Sequence, residues 1–227
     1  MSLQFGGKIP PCPDPDTYIW VTTKEGSYWR RKRGTNKQAV LNKKYQLSSN
    51  YMKISGPAAS HLVAVIRPYL QGLLPGRLTA RLSGKLRKAL NETGTLHYDY
   101  LKGLDLQPEH PINKLLPEPM KVERNGNMLT ISILIHEATV KRYSRLVTDY
   151  YFELILMQGD AMSLPSLDIT VVESRLFPIS SRNEKPCRLE MPVPDKNWIA
   201  LLKVSCLEGK ELAAASRNYG MKVVEVG

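Results

Sequence analysis

The order of apolar and polar positions changes along the chain, from helical periodicity in the first half to alternation in the second. Two short runs of β-forming residues, Tyr18–Thr23 and Ser27–Arg31, flank Lys24-Glu25-Gly26 and predict a hairpin with glycine at its turn. Helices are then predicted over about residues 38–54 and 57–70, and from Gly76 to about Asn91. The first half is therefore expected to hold one hairpin and about three helices.

The predicted helices differ in their patterns. Apolar residues of the first lie within one arc at about 100° per residue, which predicts a buried face: Val40, Leu41, Tyr45, Leu47, Tyr51 and Met52. Ser55-Gly56-Pro57 is expected to end this helix and start the second. In the third, leucines at 78, 82, 86 and 90 predict a packed stripe beside a cationic stripe that faces water. Gly84 inside this helix is expected to mark close packing against another element.

Alternation dominates after the prolines at 108, 111, 117 and 119. Met120–Arg124 and Asn127–His136 flank Asn125-Gly126, a dipeptide that favours a two-residue hairpin turn. Further strands are predicted over about residues 148–158, 167–177, 198–207 and 219–226. Six or seven strands without intervening helical periodicity predict an antiparallel β-sandwich of the immunoglobulin-like or jelly-roll kind.

These patterns predict an α+β protein in four segments. Residues 1–17 are expected to form a proline-rich, extended arm, and residues 18–103 a basic domain of hairpin and helices. A connector with spaced prolines, residues 104–119, would lead to the β-sandwich domain of residues 120–227.

Charge follows the same division. Residues 1–103 contain 17 Lys/Arg and 5 Asp/Glu, whereas residues 104–227 contain 15 and 16. Their net charges, +12 and −1, add to the +11 of the whole chain. This asymmetry predicts that the first half meets an anionic partner.

Two groups of side chains are the candidate nucleic-acid-binding residues. In the hairpin, cations adjoin aromatic rings on which bases could stack: Tyr28, Trp29, Arg30, Arg31, Lys32 and Arg33. In the third helix the cations form a stripe: Arg77, Arg81, Lys85 and Lys88. An alternative is that Trp29 pairs across the hairpin with Trp20 and that the cations only keep an exposed edge soluble.

The sequence contains no constellation typical of an enzyme, so neither catalysis nor a cofactor is predicted. His97, His110 and His136 lack the spacing of a helical metal-binding pair, and no metal is expected. Cys206, within an apolar alternation, is predicted to be a core thiol. Cys187, between a proline and an arginine, is the candidate for an exposed thiol of lowered pKa.

A short pattern around the hairpin invites comparison with known families. Gly26-x-Tyr28-x-Arg30, then Gly34 and Ala39-x-Leu41-Asn42, resembles the opening of small bacterial families of unknown function, over residues 26–60. The resemblance implies a bacterial or mobile-element origin and a protein with helices first and strands afterwards. It assigns no role to any residue.

These observations favour a non-enzymatic protein that binds nucleic acid through phosphates and not by base sequence. An alternative is a structural subunit of a larger assembly, viral or filamentous, in which the arm straps a neighbour, the sandwich makes protein contacts and the basic face meets an acidic protein surface. A homo-oligomer belongs to that alternative. A third is a carbohydrate-binding module. Neither a signal peptide nor a membrane span is predicted, so a cytoplasmic location is expected.

Overall fold

The computed structural model describes residues 11–24, 26–32, 42–137, 139–162, 167–180 and 186–227. It is an α+β protein with an N-terminal hairpin, two main helices and antiparallel sheets that pack together. The chain divides into two compact units, residues 1–46 and 47–227. Among the described residues, none of the helices combines the length and the apolar character needed to cross a membrane.

The first unit contains the predicted hairpin, which is confirmed. Strand β1 (Tyr18–Thr23) pairs in antiparallel register with β2 (Gly26–Arg31). Gly26 has a φ of +140°, a backbone conformation that favours glycine. Trp20 lies opposite Trp29, and their ring centroids are 5.1 Å apart in an edge-to-face arrangement. The cross-strand tryptophan contact therefore stabilises the hairpin.

The predicted extended arm ends in a turn. The Asp14 carbonyl accepts hydrogen bonds from the amides of Thr17 and Tyr18, and the Lys32 ammonium donates to the Pro15 carbonyl at 2.8 Å. The Thr17 hydroxyl, followed by the Asp16 amide, holds the pKa of the Asp14 carboxyl below its usual value. Residues 14–17 are thus turned back on the hairpin and not extended, and residues 1–10 of the expected arm lie outside the described residues.

The predicted break at Ser55-Gly56-Pro57 is wrong, because helix α1 runs without interruption from Lys43 to Ile66. Its small residues pack tightly: Ser55, Ala58 and Ala59 are fully buried. The Ser55 hydroxyl lies 3.1 Å from that of Ser83 on the next helix. Burial of this small-residue face offsets the hydrogen bond that Pro57 cannot make. The predicted first and second helices are therefore one, followed by a short 3₁₀ turn, Arg67–Leu70.

Helix α2 (Leu78–Thr93) follows the predicted pattern closely. Its leucine stripe is confirmed, since all four side chains are buried. Gly94, in the left-handed conformation, ends the helix by donating its amide to the Leu90 carbonyl. The expected close packing at Gly84 is wrong: a Cβ built there meets nothing within 4 Å.

The remaining elements form two antiparallel sheets. After the single-turn helix α3 (Ile112–Leu115), the strands are β3 (Lys121–Asn125), β4 (Met128–Leu134), β5 (Asp149–Gln158), β6 (Asp168–Glu173), β7 (Phe177–Pro178), β8 (Pro186–Pro192), β9 (Trp198–Glu208), β10 (Glu211–Leu212) and β11 (Tyr219–Val226). The larger sheet has the order β10-β9-β5-β6, with β11 paired to β9 and β7 to β5. The smaller has the order β3-β4-β8. The predicted hairpin between β3 and β4 is confirmed, but its turn lies one position later than expected: Asn125 pairs with Met128, so the two turn residues are Gly126 and Asn127.

Both faces of β5 and β9 are buried, so these strands form the middle layer of the 47–227 unit. On one face, Met157 and Leu201 line a small apolar space with Leu62 of α1 and Leu82 of α2. Residues of the opposite face, such as Phe152, belong to the same hydrophobic core as the inward side chains of β4 and β8. Helices and strands therefore share one core.

The shared core includes residues from three of the four segments expected from the sequence. Residues of the expected 104–119 connector lie inside it, and Leu106, Ile112 and Leu116 are buried. The Leu106 amide also donates to the carbonyl of Met221 on β11. The expected domain of residues 18–103 extends over both compact units, and the strands of the expected 120–227 domain pack on the helices before them.

Candidate nucleic-acid interface

The cationic excess is more concentrated than the division of the chain into halves indicates. From residue 26 to residue 91 the sequence contains 14 Lys/Arg and no Asp or Glu. This segment includes strand β2, helix α1 and most of α2. The positive electrostatic potential of these cations is therefore not reduced by acidic residues in the same segment.

The hairpin cations do not form one patch. Because side chains alternate along a strand, Arg30 shares a face with Tyr28, whereas Arg31 shares the other face with Trp29. Lys32 is held by its hydrogen bond to the Pro15 carbonyl. Arg33, the fourth predicted cation, lies outside the described residues. A flat ligand on one face of the hairpin would therefore meet Arg30 or Arg31, but not both.

The two hairpin aromatic residues also differ. Trp29 is half-buried and in contact with Trp20, as the alternative interpretation expects. Tyr28 is 49 % exposed and lies beside Val21 of β1. Of these two rings, Tyr28 is the more accessible to a stacking base.

Helix α2 presents the other predicted stripe. Arg77, Lys85 and Lys88 are exposed, and their spacing places them on one side of the helix. The Lys88 ammonium lies 3.9 Å from a Glu92 carboxylate oxygen and 4.9 Å from the centre of the Tyr100 ring. An exposed pair of this kind is weak, so Lys88 remains able to meet an external anion.

Arg81 is the exception in this stripe, and its expected exposure to water is wrong. Its guanidinium donates to the backbone carbonyls of Asp105 at 2.6 Å and Pro75 at 2.9 Å, and to that of Leu106. Burial, partly opposed by the Asp105 carboxylate, lowers the pKa of Arg81. Arg81 therefore fastens two loops to α2 through its Nη1 and Nη2 atoms, which are already engaged by these carbonyls.

Tyr100 is a residue that sequence reasoning missed. It is half-buried, with its ring under the Lys88 ammonium and 5.7 Å from the His97 ring. Tyr100 lies twelve positions after Lys88 along the chain, and no local pattern links the two residues. Only the packing of the 3₁₀ turn Asp99–Leu101 against α2 brings an aromatic ring to the cationic stripe.

The thiols have environments that disfavour nucleophilic chemistry. Burial raises the pKa of Cys187 to about 11 and that of Cys206 to about 12. The expected exposure and lowered pKa of Cys187 are therefore wrong, because it points inward from β8. The core position predicted for Cys206 is confirmed.

The histidines are dispersed. His97 lies 3.1 Å from Asp99, and His136 lies 3.2 Å from Glu118. Within the described ranges, three or more His, Cys, Asp or Glu side chains nowhere meet in a cluster able to hold a metal ion. The contact of His136 instead fastens the end of β4 to the preceding segment.

Comparison with protein-family models and with curated protein sequences assigns no relative to this chain. No protein-family model matches it, and no curated protein sequence is significantly similar to it. The resemblance of residues 26–60 to small bacterial families stays a prediction.

Proposed function

We propose that this is a non-enzymatic binding protein whose basic N-terminal half contacts nucleic acid through its phosphates, without preference for base sequence. The observation that supports the proposal is the acid-free segment of residues 26–91 with its 14 cations, from which Arg77, Lys85 and Lys88 extend into solvent.

The spacing of these side chains suits a phosphate backbone. Arg77 and Lys85 are eight residues apart, which on a helix is about 12 Å. Duplex DNA carries one charge per about 1.7 Å of its axis, so each cation would meet a different phosphate. Exposed side chains of this kind add affinity and carry no information about the bases.

The test is fluorescence anisotropy with two unrelated DNA duplexes of equal length, titrated over about 50–300 mM salt. We expect similar affinities for both duplexes and a linear decrease of log affinity with log salt. The triple variant Arg77→Gln/Lys85→Gln/Lys88→Gln should flatten the slope by about 2–3 if each side chain neutralises one phosphate.

A matched variant controls for net charge. Arg145→Gln/Lys196→Gln/Lys210→Gln removes the same charges from exposed positions outside the acid-free segment, and it should leave the slope nearly unchanged. Equal slopes for the two triple variants would contradict the proposal. So would an absence of binding at low salt, and sedimentation of the same sample as a large oligomer would then favour the alternative of an assembly subunit.

For the fold, we infer that the two antiparallel sheets form a sandwich of the immunoglobulin-like or jelly-roll kind. Support comes from the burial of both faces of β5 and β9 and from the single core that they share with β4 and β8.

A further inference from the structure

The apolar stripe of α1 is longer than the surface that covers it. From Ser55 onward the stripe is buried: Leu62 is 1 % exposed and Ile66 is 2 % exposed. At intervals of three and four residues the same face continues towards the N-terminus through Met52, Tyr51 and Leu47. There Leu47 is 51 % exposed and Met52 is 49 % exposed. We call Leu47, Tyr51 and Met52 the α1 patch.

Two cations lie beside Met52 of the α1 patch. Lys53 is exposed next to Met52 in the helix, and the Arg87 guanidinium lies 3.2 Å from the Met52 sulfur. Residues 26–91 contain no acid that could offset these charges. A second copy of the chain that docked through this same face would therefore bring like charges together in a desolvated contact, which is unfavourable.

Nucleic acid does not match this surface either. The exposed side chains of the patch, Leu47 and Met52, are flexible and non-aromatic, and its one ring, that of Tyr51, is half-buried and offers a base little area to stack on. Covering them with a phosphate backbone would leave apolar area in contact with a charged, hydrated polymer. An occupant that suits both the apolar side chains and Lys53 must itself combine apolar side chains with carboxylates.

We propose that the α1 patch docks an acidic amphipathic helix of a partner protein, whose aliphatic residues cover Leu47 and Met52 and whose carboxylates meet Lys53 and Arg87. This surface is distinct from the exposed cations Arg77, Lys85 and Lys88 of the proposed nucleic-acid interface. Failure of either proposal leaves the other standing.

The probe is a fluorescein-labelled peptide of leucine, alanine and glutamate, about 20 residues long, with leucines at helical spacing. A scrambled peptide of the same composition controls for charge alone. Binding to the full chain is measured by fluorescence anisotropy. We expect the patterned peptide to bind at least about tenfold more tightly than the scrambled one.

Two variants test the site. Leu47→Asn/Met52→Gln removes the apolar side chains without changing net charge, and Lys53→Glu reverses one charge and keeps the patch. Each should weaken binding of the patterned peptide by about tenfold or more. The matched control Leu146→Asn/Met162→Gln alters apolar residues that are 68 % and 46 % exposed elsewhere, and it should bind the peptide as the parent does.

The outcomes distinguish between the possible occupants of the α1 patch. Equal binding of both peptides would mean that charge alone attracts them, and it would overturn the proposal. Self-association of the parent that disappears in Leu47→Asn/Met52→Gln would identify a second copy as the occupant. Loss of nucleic-acid binding in that variant would identify nucleic acid, and either result rejects the acidic helix. If Leu47→Asn/Met52→Gln melts at a lower temperature than the parent, its weaker binding could come from lost folding. The binding of the patterned peptide to Lys53→Glu then decides whether the proposal holds.

Discussion

A buried ion pair between β5 and β9, in the middle layer of the 47–227 unit, should make a large contribution to the stability of that unit. Glu153 of β5 and Lys203 of β9 lie directly opposite each other, and the ammonium is 2.7 Å from a carboxylate oxygen. Both residues are at most 6 % exposed. The Ser205 hydroxyl donates to the same oxygen at 3.4 Å. Each charge thus depends on the other for its compensation.

Replacing one partner would leave the other charge buried without compensation. Lys203→Met should therefore reduce the free energy of unfolding by about 3–5 kcal/mol. For a protein of this size that corresponds to a fall in melting temperature of roughly 6–20 °C. The double variant Glu153→Leu/Lys203→Met removes both charges and should regain most of this loss, or exceed the parent in stability.

Urea denaturation followed by tryptophan fluorescence measures these free energies. The exposed pair Lys121–Glu123, with 2.8 Å between its charged atoms, is the matched control, and Lys121→Met should cost less than about 1 kcal/mol. The reasoning is refuted if Lys203→Met costs no more than the control. It is also refuted if the double variant is as unstable as the single one, because its remaining cost would then come from packing and not from an uncompensated charge.

Two further predictions concern glycines and thiols. Gly84→Ala should raise the free energy of unfolding by about 0.5–1 kcal/mol. Gly72→Ala should lower the free energy of unfolding by roughly 2–5 kcal/mol, because φ is +81° and the added Cβ would collide with the ring of Tyr219. Equal effects of the two substitutions in urea denaturation would refute this. With thiol pKa values of about 11 and about 12, Cys187 and Cys206 are thiolates in only about 0.1 % and 0.01 % of molecules at about pH 8. A colorimetric disulfide reagent should therefore modify Cys12 alone in the folded protein, with reactivity of the other two rising with pH, and rapid modification of a second thiol would contradict their burial.

The elements predicted correctly share a local cause. Helix α2 presents a repeating pattern that a single face can bury, whereas β5 and β9 are nearly continuous apolar runs that are buried on both faces. Strand β8 also carries a repeating pattern, since Cys187, Leu189 and Met191 are buried while the residues between them are exposed. It was missed because prolines bound the run at both ends, and prolines ordinarily argue against a strand.

The errors share a different cause. From the sequence, the effects of Pro57 and Gly84 are predicted from the free energy that each residue costs an isolated helix. Whether the helix continues through Pro57, and whether another element packs at Gly84, depends on the residues that lie beside them in the fold. The boundary expected at residues 104–119 stays a prediction, and it rests on proline spacing, which indicates turns. Whether a turn lies in a linker or in a core depends on side chains far away in the sequence, such as Met221, which pairs with Leu106.

The sequence by itself determined the local elements and the sign of the N-terminal charge, because periodicity and composition belong to contiguous residues. The tertiary structure alone decided which cations remain available. Arg81 is occupied by three carbonyls from two loops, Arg30 and Arg31 face opposite ways, and Lys88 lies over Tyr100. The tertiary structure also leaves Leu47 exposed, although the same face of α1 is buried farther along the helix. Exposure and hydrogen-bond partners are set by residues distant in the chain, so no local pattern contains them.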